Sequence, residues 1–180
     1  MYPLIHRIVL GADHLIFIYL LIAALVVVID QVIKYFVCLH LKPIGFTTAI
    51  PHLLDLVYVE NRGVAFGMFT DMRWIFVALT SVLIIGIIVY MFWKKPAGKF
   101  FYICAALIVG GGIGNLIDRI FYGYVIDYLS LSFFPPVCNF ADYCITAGTV
   151  MLIIYVMFFA ESKKADANKP ELNKVINNND

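Results

Sequence analysis

Apolar residues in this chain gather into four long runs, with polar residues largely confined to the gaps between them. Crossing the hydrocarbon layer of a bilayer takes roughly 20 apolar residues, and the runs at about 15–37, 74–93, 99–119 and 141–160 meet that length. The second has no charged residue over 74–93, and the third has none over 100–117. The first is longer than the roughly 7–15 apolar residues of a signal peptide. It also runs into Asp30 and Lys34 where a small-residue cleavage site would stand, so it reads as a retained helix.

The pattern changes in the segment 38–73. Over 50–69, Leu54, Leu56 and Tyr58 interleave with Asp55, Val57 and Val59, and "ENRG" supplies turn chemistry. That predicts a short hairpin or small sheet lying on the outer membrane surface. The expected fold class is therefore all-α integral membrane: four transmembrane helices with a small extracytoplasmic β hairpin or sheet, as one domain over 1–160. Residues 161–180 are polar and rich in Asn and Lys, which predicts a disordered cytoplasmic tail.

Composition agrees with the pattern. Of 180 residues, 63% are hydrophobic and 14% charged, against about 25% charged in a soluble domain, and the mean hydropathy is +0.92. A formal net charge of +1 gives no sign of a nucleic-acid partner. Position matters more than sum. Lys94, Lys95 and Lys99 lie between spans two and three, Arg7 precedes span one, and Lys163 and Lys164 follow span four. Basic residues collect on the cytoplasmic side, which places both termini there and turns 38–73 and 118–142 outward.

An ionisable residue inside a span costs at least ~2.5 kcal/mol on insertion scales, so each one calls for a partner. Asp30 and Lys34, four apart on one helix face, can neutralise each other. Asp118 near the end of span three faces the negative end of the helix dipole and needs a cation, either Arg119 or Lys34. Gly110, Gly111, Gly112 and Gly114 weaken that span's helix by up to ~1 kcal/mol each. Close helix packing, or room for a ligand chain, would offset the loss. Asn139 and Asp142 form a capping-box variant at the start of span four. A rise of ~1.5 Å per residue puts Asp118 about 28 Å from Lys99, at the outer face, where Asp142 begins the return. Asp127 lies between them beside Pro135 and Pro136, on a short connection that lets it approach Asp142.

Two neighbouring carboxylates share a proton. The ionised member can then activate water while the protonated one donates to a carbonyl, which is the pair peptide hydrolysis needs. His6, His14, His40 and His52 all precede span two and form no nucleophile-and-base constellation. Cys38, Cys104, Cys138 and Cys144 show no metal-binding spacing, and a Cys138–Cys144 bridge across a helix start has poor geometry. No metal or cofactor is expected. Competing classes are a proton-coupled carrier, disfavoured by the lack of an internal repeat, and a scaffold subunit whose polar residues join helices.

The motifs "DQVIK" (30–34), "NRGVAF" (61–66), "GNLIDR" (114–119), "VIDY" (125–128) and "NFAD" (139–142) occur in this order over four spans. Together they resemble the bacterial lipoprotein (type II) signal peptidases over nearly the full length. The resemblance implies an intramembrane aspartic endopeptidase of the bacterial inner membrane with its site at the extracytoplasmic face. Such an enzyme cuts signal peptides from prolipoproteins just before a diacylglyceryl-modified cysteine. Its partners would be that substrate and membrane lipid, and a monomer is expected. By the same resemblance Asp127 and Asp142 are catalytic, while Asp30, Lys34, Asn61, Gly63, Gly111, Gly114, Asn115, Asp118, Arg119, Asn139 and Ala141 shape the site or hold substrate. It also makes the outer hairpin a clamp on the substrate, with acyl chains lying against the glycine-rich stretch. One departure is Cys138, where the family usually has Phe; it bears on substrate fit more than on proton handling.

Overall fold

The computed structural model describes residues 2–63, 72–96 and 98–177, with side chains over 16–63, 72–96 and 98–158. In chain order run α1 (Tyr2–Phe36), a π-helical turn (Val37–Leu41), β1 (Phe46–Ile50), β2 (Leu54–Asn61), α2 (Arg73–Lys94), α3 (Lys99–Phe121), β3 (Val125–Leu131), β4 (Phe134–Cys138) and α4 (Phe140–Asn177). Among the described residues, four helical stretches are long and apolar enough to cross a membrane: Ile16–Leu41, Arg73–Lys94, Lys99–Phe121 and Phe140–Phe158. Helix suits such runs because lipid offers backbone N–H and C=O groups no water, and a helix pairs them within the segment. α2 ends where Lys95 turns left-handed ahead of Pro96. α4 continues through most of the polar segment that composition assigns to a disordered tail; Glu161, Lys163, Lys164, Ala165 and Ala167 there are good helix formers.

α3 is the hub. It packs against α1, α2 and α4, and its buried residues run from Tyr102 to Asp118. The shared core includes Ile16, Tyr19 and Ala23 of α1, Ile84 and Met91 of α2, and Tyr102, Ala106 and Val109 of α3. Tyr19 and Tyr102 stack with centroids 5.3 Å apart. The opposite faces of α1, α2 and α4 leave Leu21, Leu79, Val82 and Met157 exposed, an apolar surface suited to lipid.

The glycines of α3 are where its neighbours come closest. A Cβ at Gly110 would lie 2.7 Å from the Ala23 carbonyl, and one at Gly111 would lie 2.5 Å from the Ala141 carbonyl. At Gly114 it would lie 2.5 Å from Asp30 Oδ2. The glycine-rich stretch thus draws α1 and α4 onto α3. It does not leave room there for acyl chains, as expected above, because helices α1 and α4 occupy that space.

The β structure goes further than a hairpin in the outer loop. All four strands form one antiparallel sheet in the order β1-β2-β3-β4. β2 pairs with β3 in a register that sets Val59 opposite Asp127 and Asn61 opposite Val125. The segment carrying Asp127, expected as a loop, is therefore an inner strand. Pro135 and Pro136 sit in β4, an edge strand, which is where a sheet tolerates residues without an N–H. Gly123 (φ 86) provides the left-handed residue that turns the chain from α3 into β3. Val64, Ala65 and Phe66 of "NRGVAF" and the end of the expected hairpin at 64–69 lie outside the described residues.

Candidate active site

Two clusters of polar side chains sit side by side at the end of α3. The first is ionic. Lys34 Nζ lies 2.8 Å from Asp30 Oδ2 and 2.8 Å from Asp118 Oδ2, and it donates to Asn115 Oδ1 at 3.0 Å. Three N–H bonds therefore have three acceptors, which uses up the ammonium's donors. Asp118 also accepts from the Ile126 N–H at 3.1 Å, tying the start of β3 to α3. Asp30 Oδ1 accepts from the Ala141 N–H at 3.2 Å, tying the first turn of α4 to α1. Of the two cations open to Asp118 from sequence, Lys34 is the one that pairs with it. Gln31 closes the cluster, donating to Asp30 Oδ2, Asp118 Oδ1 and the Gly114 carbonyl.

The second cluster is held by amides. Asp127, buried on β3, accepts from Asn61 Nδ2 at 2.8 Å and from Asn139 Nδ2 at 2.6 Å. Asp142, in the first turn of α4, accepts from Asn115 Nδ2 at 2.7 Å and from the Asn139 N–H at 3.1 Å. The orientation of Asn139 is set by the helix start. Its Oδ1 accepts the Asp142 N–H at 2.9 Å, making a reciprocal capping box, and this leaves Nδ2 to face Asp127 and Asn115 Oδ1. Asn61 is oriented the same way: its Oδ1 accepts the Gly63 N–H at 3.0 Å, which turns the NH2 towards Asp127. Asn115 joins the clusters, taking a bond from Lys34 and giving one to Asp142.

Both acids line one open cavity of about 250 Å³, together with Asn61, Gly63, Arg119, Phe134, Pro136, Val137 and Cys138. Burial, and then the negative charge of Asp142, push the Asp127 carboxyl up to about 7, against the pull of its two amide donors. Near neutral pH Asp127 can hold a proton while Asp142 accepts bonds at a helix N-terminus, where an anion is favoured. The arrangement presents a proton donor and a proton acceptor to one cavity. Burial and the same two acids raise the Cys138 thiol to about 11, so it stays a neutral wall group.

The structure brings Asp127, Asp142, Asn61, Gly63, Arg119 and Cys138 to the cavity wall. Asn115 and Asn139 lie behind it, and Asp30, Lys34, Asp118, Gly114 and Ala141 sit one layer deeper. Gly111 has no place in the wall: a Cβ there would meet the Ala141 carbonyl and the Ile145 side chain of α4. Arg119 donates weakly to the Asn115 carbonyl at 3.4 Å, and its guanidinium lies over the Phe76 ring at 5.6 Å. Sequence reading missed two contributors. Gln31 carried a signal, being a polar side chain inside a span. Tyr128, whose hydroxyl accepts the Phe140 N–H at 3.2 Å and steadies the start of α4, carried none. Among the described residues no group of His, Cys, Asp and Glu is arranged to hold a metal ion, and the four cysteines are free thiols.

Known proteins resemble this chain over most of its length. A lipoprotein signal peptidase of Caldanaerobacter subterraneus subsp. tengcongensis is 43% identical over 141 residues, covering 78% of this chain and 95% of that protein. One of Clostridium acetobutylicum is 36% identical over 148 residues, covering 80% and 96%. A solved bacterial membrane enzyme superposes with a TM-score of 0.74 at 30% identity, covering 81% of this chain and 90% of its own. With four helices able to span a membrane, the likeness to membrane enzymes makes this a multi-pass membrane protein. The family described as "Signal peptidase (SPase) II" matches residues 22–158, and the chain belongs to that family of lipoprotein-processing proteases.

Proposed function

We propose that this chain is an intramembrane aspartic endopeptidase that removes the signal peptide from diacylglyceryl-modified prolipoproteins, cutting before the lipidated cysteine. The observation that carries the reading is the joining of Asp127 and Asp142 through Asn139 at one cavity, with no cation among the described residues bonded to either carboxylate. Asp142 takes a proton from water as it attacks the scissile carbonyl, and Asp127 donates its proton to the carbonyl oxygen. On collapse of the tetrahedral species, Asp142 gives the proton it took from water to the departing amine and Asp127 takes one back from a hydroxyl of the gem-diol, which restores the starting pair. The acid pair supplies both proton transfers, so the mechanism calls on no metal.

The placement of basic residues supports a bacterial inner-membrane orientation with both termini cytoplasmic, and with the sheet and cavity at the extracytoplasmic face. There the diacylglyceryl group anchors the substrate at the depth of the acids, and binding energy from the lipid positions the bond. On this reading residues 1–160 act as one unit and as a monomer. Asn61, Asn115 and Asn139 hold the acids, Arg119 and Gly63 shape the cavity, and Asp30, Lys34 and Asp118 brace it. The sheet clamps the substrate from outside.

The deciding experiment incubates the purified protein with a diacylglyceryl-modified precursor and its unlipidated twin, alongside Asp127→Asn and Asp142→Asn variants. Cleavage of the lipidated form alone, lost in both variants with folding retained, is the expected result. Retained cleavage in either variant rejects the acid pair, and equal turnover of the two precursors rejects lipid anchoring.

A further inference from the structure

Six glycines stand within the described membrane-spanning helices, and five of them serve packing: a Cβ at Gly110, Gly111, Gly112, Gly114 or Gly148 would meet another helix within 3.2 Å. Gly86, in the middle of α2, is different. A Cβ there would meet nothing within 4 Å. It lines a groove of about 390 Å³ between α2, α3 and α4, whose walls include Val82, Tyr90, Phe101, Ala105 and Leu152. The walls are almost wholly apolar, and the groove is separate from the cavity that holds the acids.

Three further observations limit what could fill it. First, an α-helix is about 10–12 Å across with a pitch of about 5.4 Å, so a single turn takes up roughly 400–600 Å³. The groove is too small for a helix and wide enough for a flexible hydrocarbon chain. Second, from Val82 to Lys94 α2 rises about 18 Å, close to half of the ~30 Å hydrocarbon layer, which is the depth of one leaflet. Third, one end is basic: Lys94 lies one turn beyond Tyr90 on the same face of α2. The Tyr90 and Phe101 rings, 5.5 Å apart, mark the boundary between apolar groove and charged end.

We propose that this groove is a binding site for an anionic phospholipid, with one acyl chain lying along Gly86 and the phosphate held by Lys94. The bound lipid fills the gap that the α2 glycine leaves open and fastens α2 to the α3–α4 pair. The site belongs to the leaflet opposite the acid cavity, so it serves the fold of the membrane domain and not recognition of the scissile bond.

The test uses the full chain purified in neutral detergent, with thermal unfolding followed on addition of phosphatidylglycerol, phosphatidylcholine of the same acyl chains, or inorganic phosphate. Phosphatidylglycerol should raise Tm saturably and by at least about twice the shift from phosphatidylcholine, as expected for a ligand of the folded state. Inorganic phosphate should leave Tm unchanged. Gly86→Leu, which fills the groove and favours helix, should remove the excess shift from phosphatidylglycerol. Lys94→Gln should lower that shift to the phosphatidylcholine value, and this surface variant decides the matter by itself if Gly86→Leu does not fold. Equal shifts from both lipids, reproduction of the effect by phosphate, or a full excess shift in either variant would overturn the proposal. So would a dimer in lipid-free protein that Gly86→Leu dissociates, since the groove would then belong to a second copy.

Discussion

The two clusters at the end of α3 use the same residue type in opposite ways. Around Lys34, Asp30 and Asp118 are matched by an ammonium 2.8 Å from each, and the bonds of the cluster join four elements, α1, α3, β3 and α4. Around Asn139, Asp127 and Asp142 receive, among the described residues, only amide donors, and they face a cavity. Neutral donors hold a carboxylate in place without fixing its charge, whereas an ion pair fixes both. On the proposed reading the difference separates bracing acids from acids free to exchange a proton, and it rests on one choice of partner.

The largest effect that would break this comparison is on turnover. Asp127→Asn or Asp142→Asn should lower cleavage of the lipidated precursor by about 10⁴-fold, the upper range for general acid–base groups, with the unfolding midpoint little changed. Lys34→Met should do the reverse in kind: it strands two buried carboxylates and should destabilise the chain by about 3–5 kcal/mol, read as loss of folded protein in detergent unfolding.

The response to pH follows from the raised Asp127 carboxyl. Between about 4 and about 7 the folded chain holds a proton there that the unfolded chain releases. Rising pH through that window therefore lowers stability, by an amount on the order of a few kcal/mol, and cleavage falls off above about 7 as the shared proton leaves. Asp127→Asn should flatten the stability slope across that window; an unchanged slope would assign it to other groups. The smallest effect is expected at Gly111, where Ala would press on the Ala141 carbonyl 2.5 Å away and move the first turn of α4. Cleavage should fall by about tenfold, equivalent to ~1.4 kcal/mol, while Gly86→Ala, which meets nothing, should leave it unchanged.

Much of this arrangement was readable from residue order, because its rules are local. Four apolar runs give four helices; Asp30 and Lys34 pair at i, i+4; Asn139 and Asp142 form the expected capping box. What was not readable depends on long-range pairing. "FPPVC" resembles a loop until β3 stands beside it, since two prolines suit a strand only at a sheet edge. The choice of Lys34 over Arg119 for Asp118 needed the approach of α1 to α3, which Gly114 permits but no spacing announces. The glycine run allowed two readings, packing or lipid room, and only the positions of Ala23, Asp30 and Ala141 decide between them.

The prolines of β4 also govern how copies of this protein meet one another. Pro135 and Pro136 carry no N–H, and because neighbouring residues of a strand point to opposite sides, one of them removes a donor from the free margin beyond β4. A strand from a neighbouring molecule would gain less by aligning there than along β1, the proline-free margin on the other side.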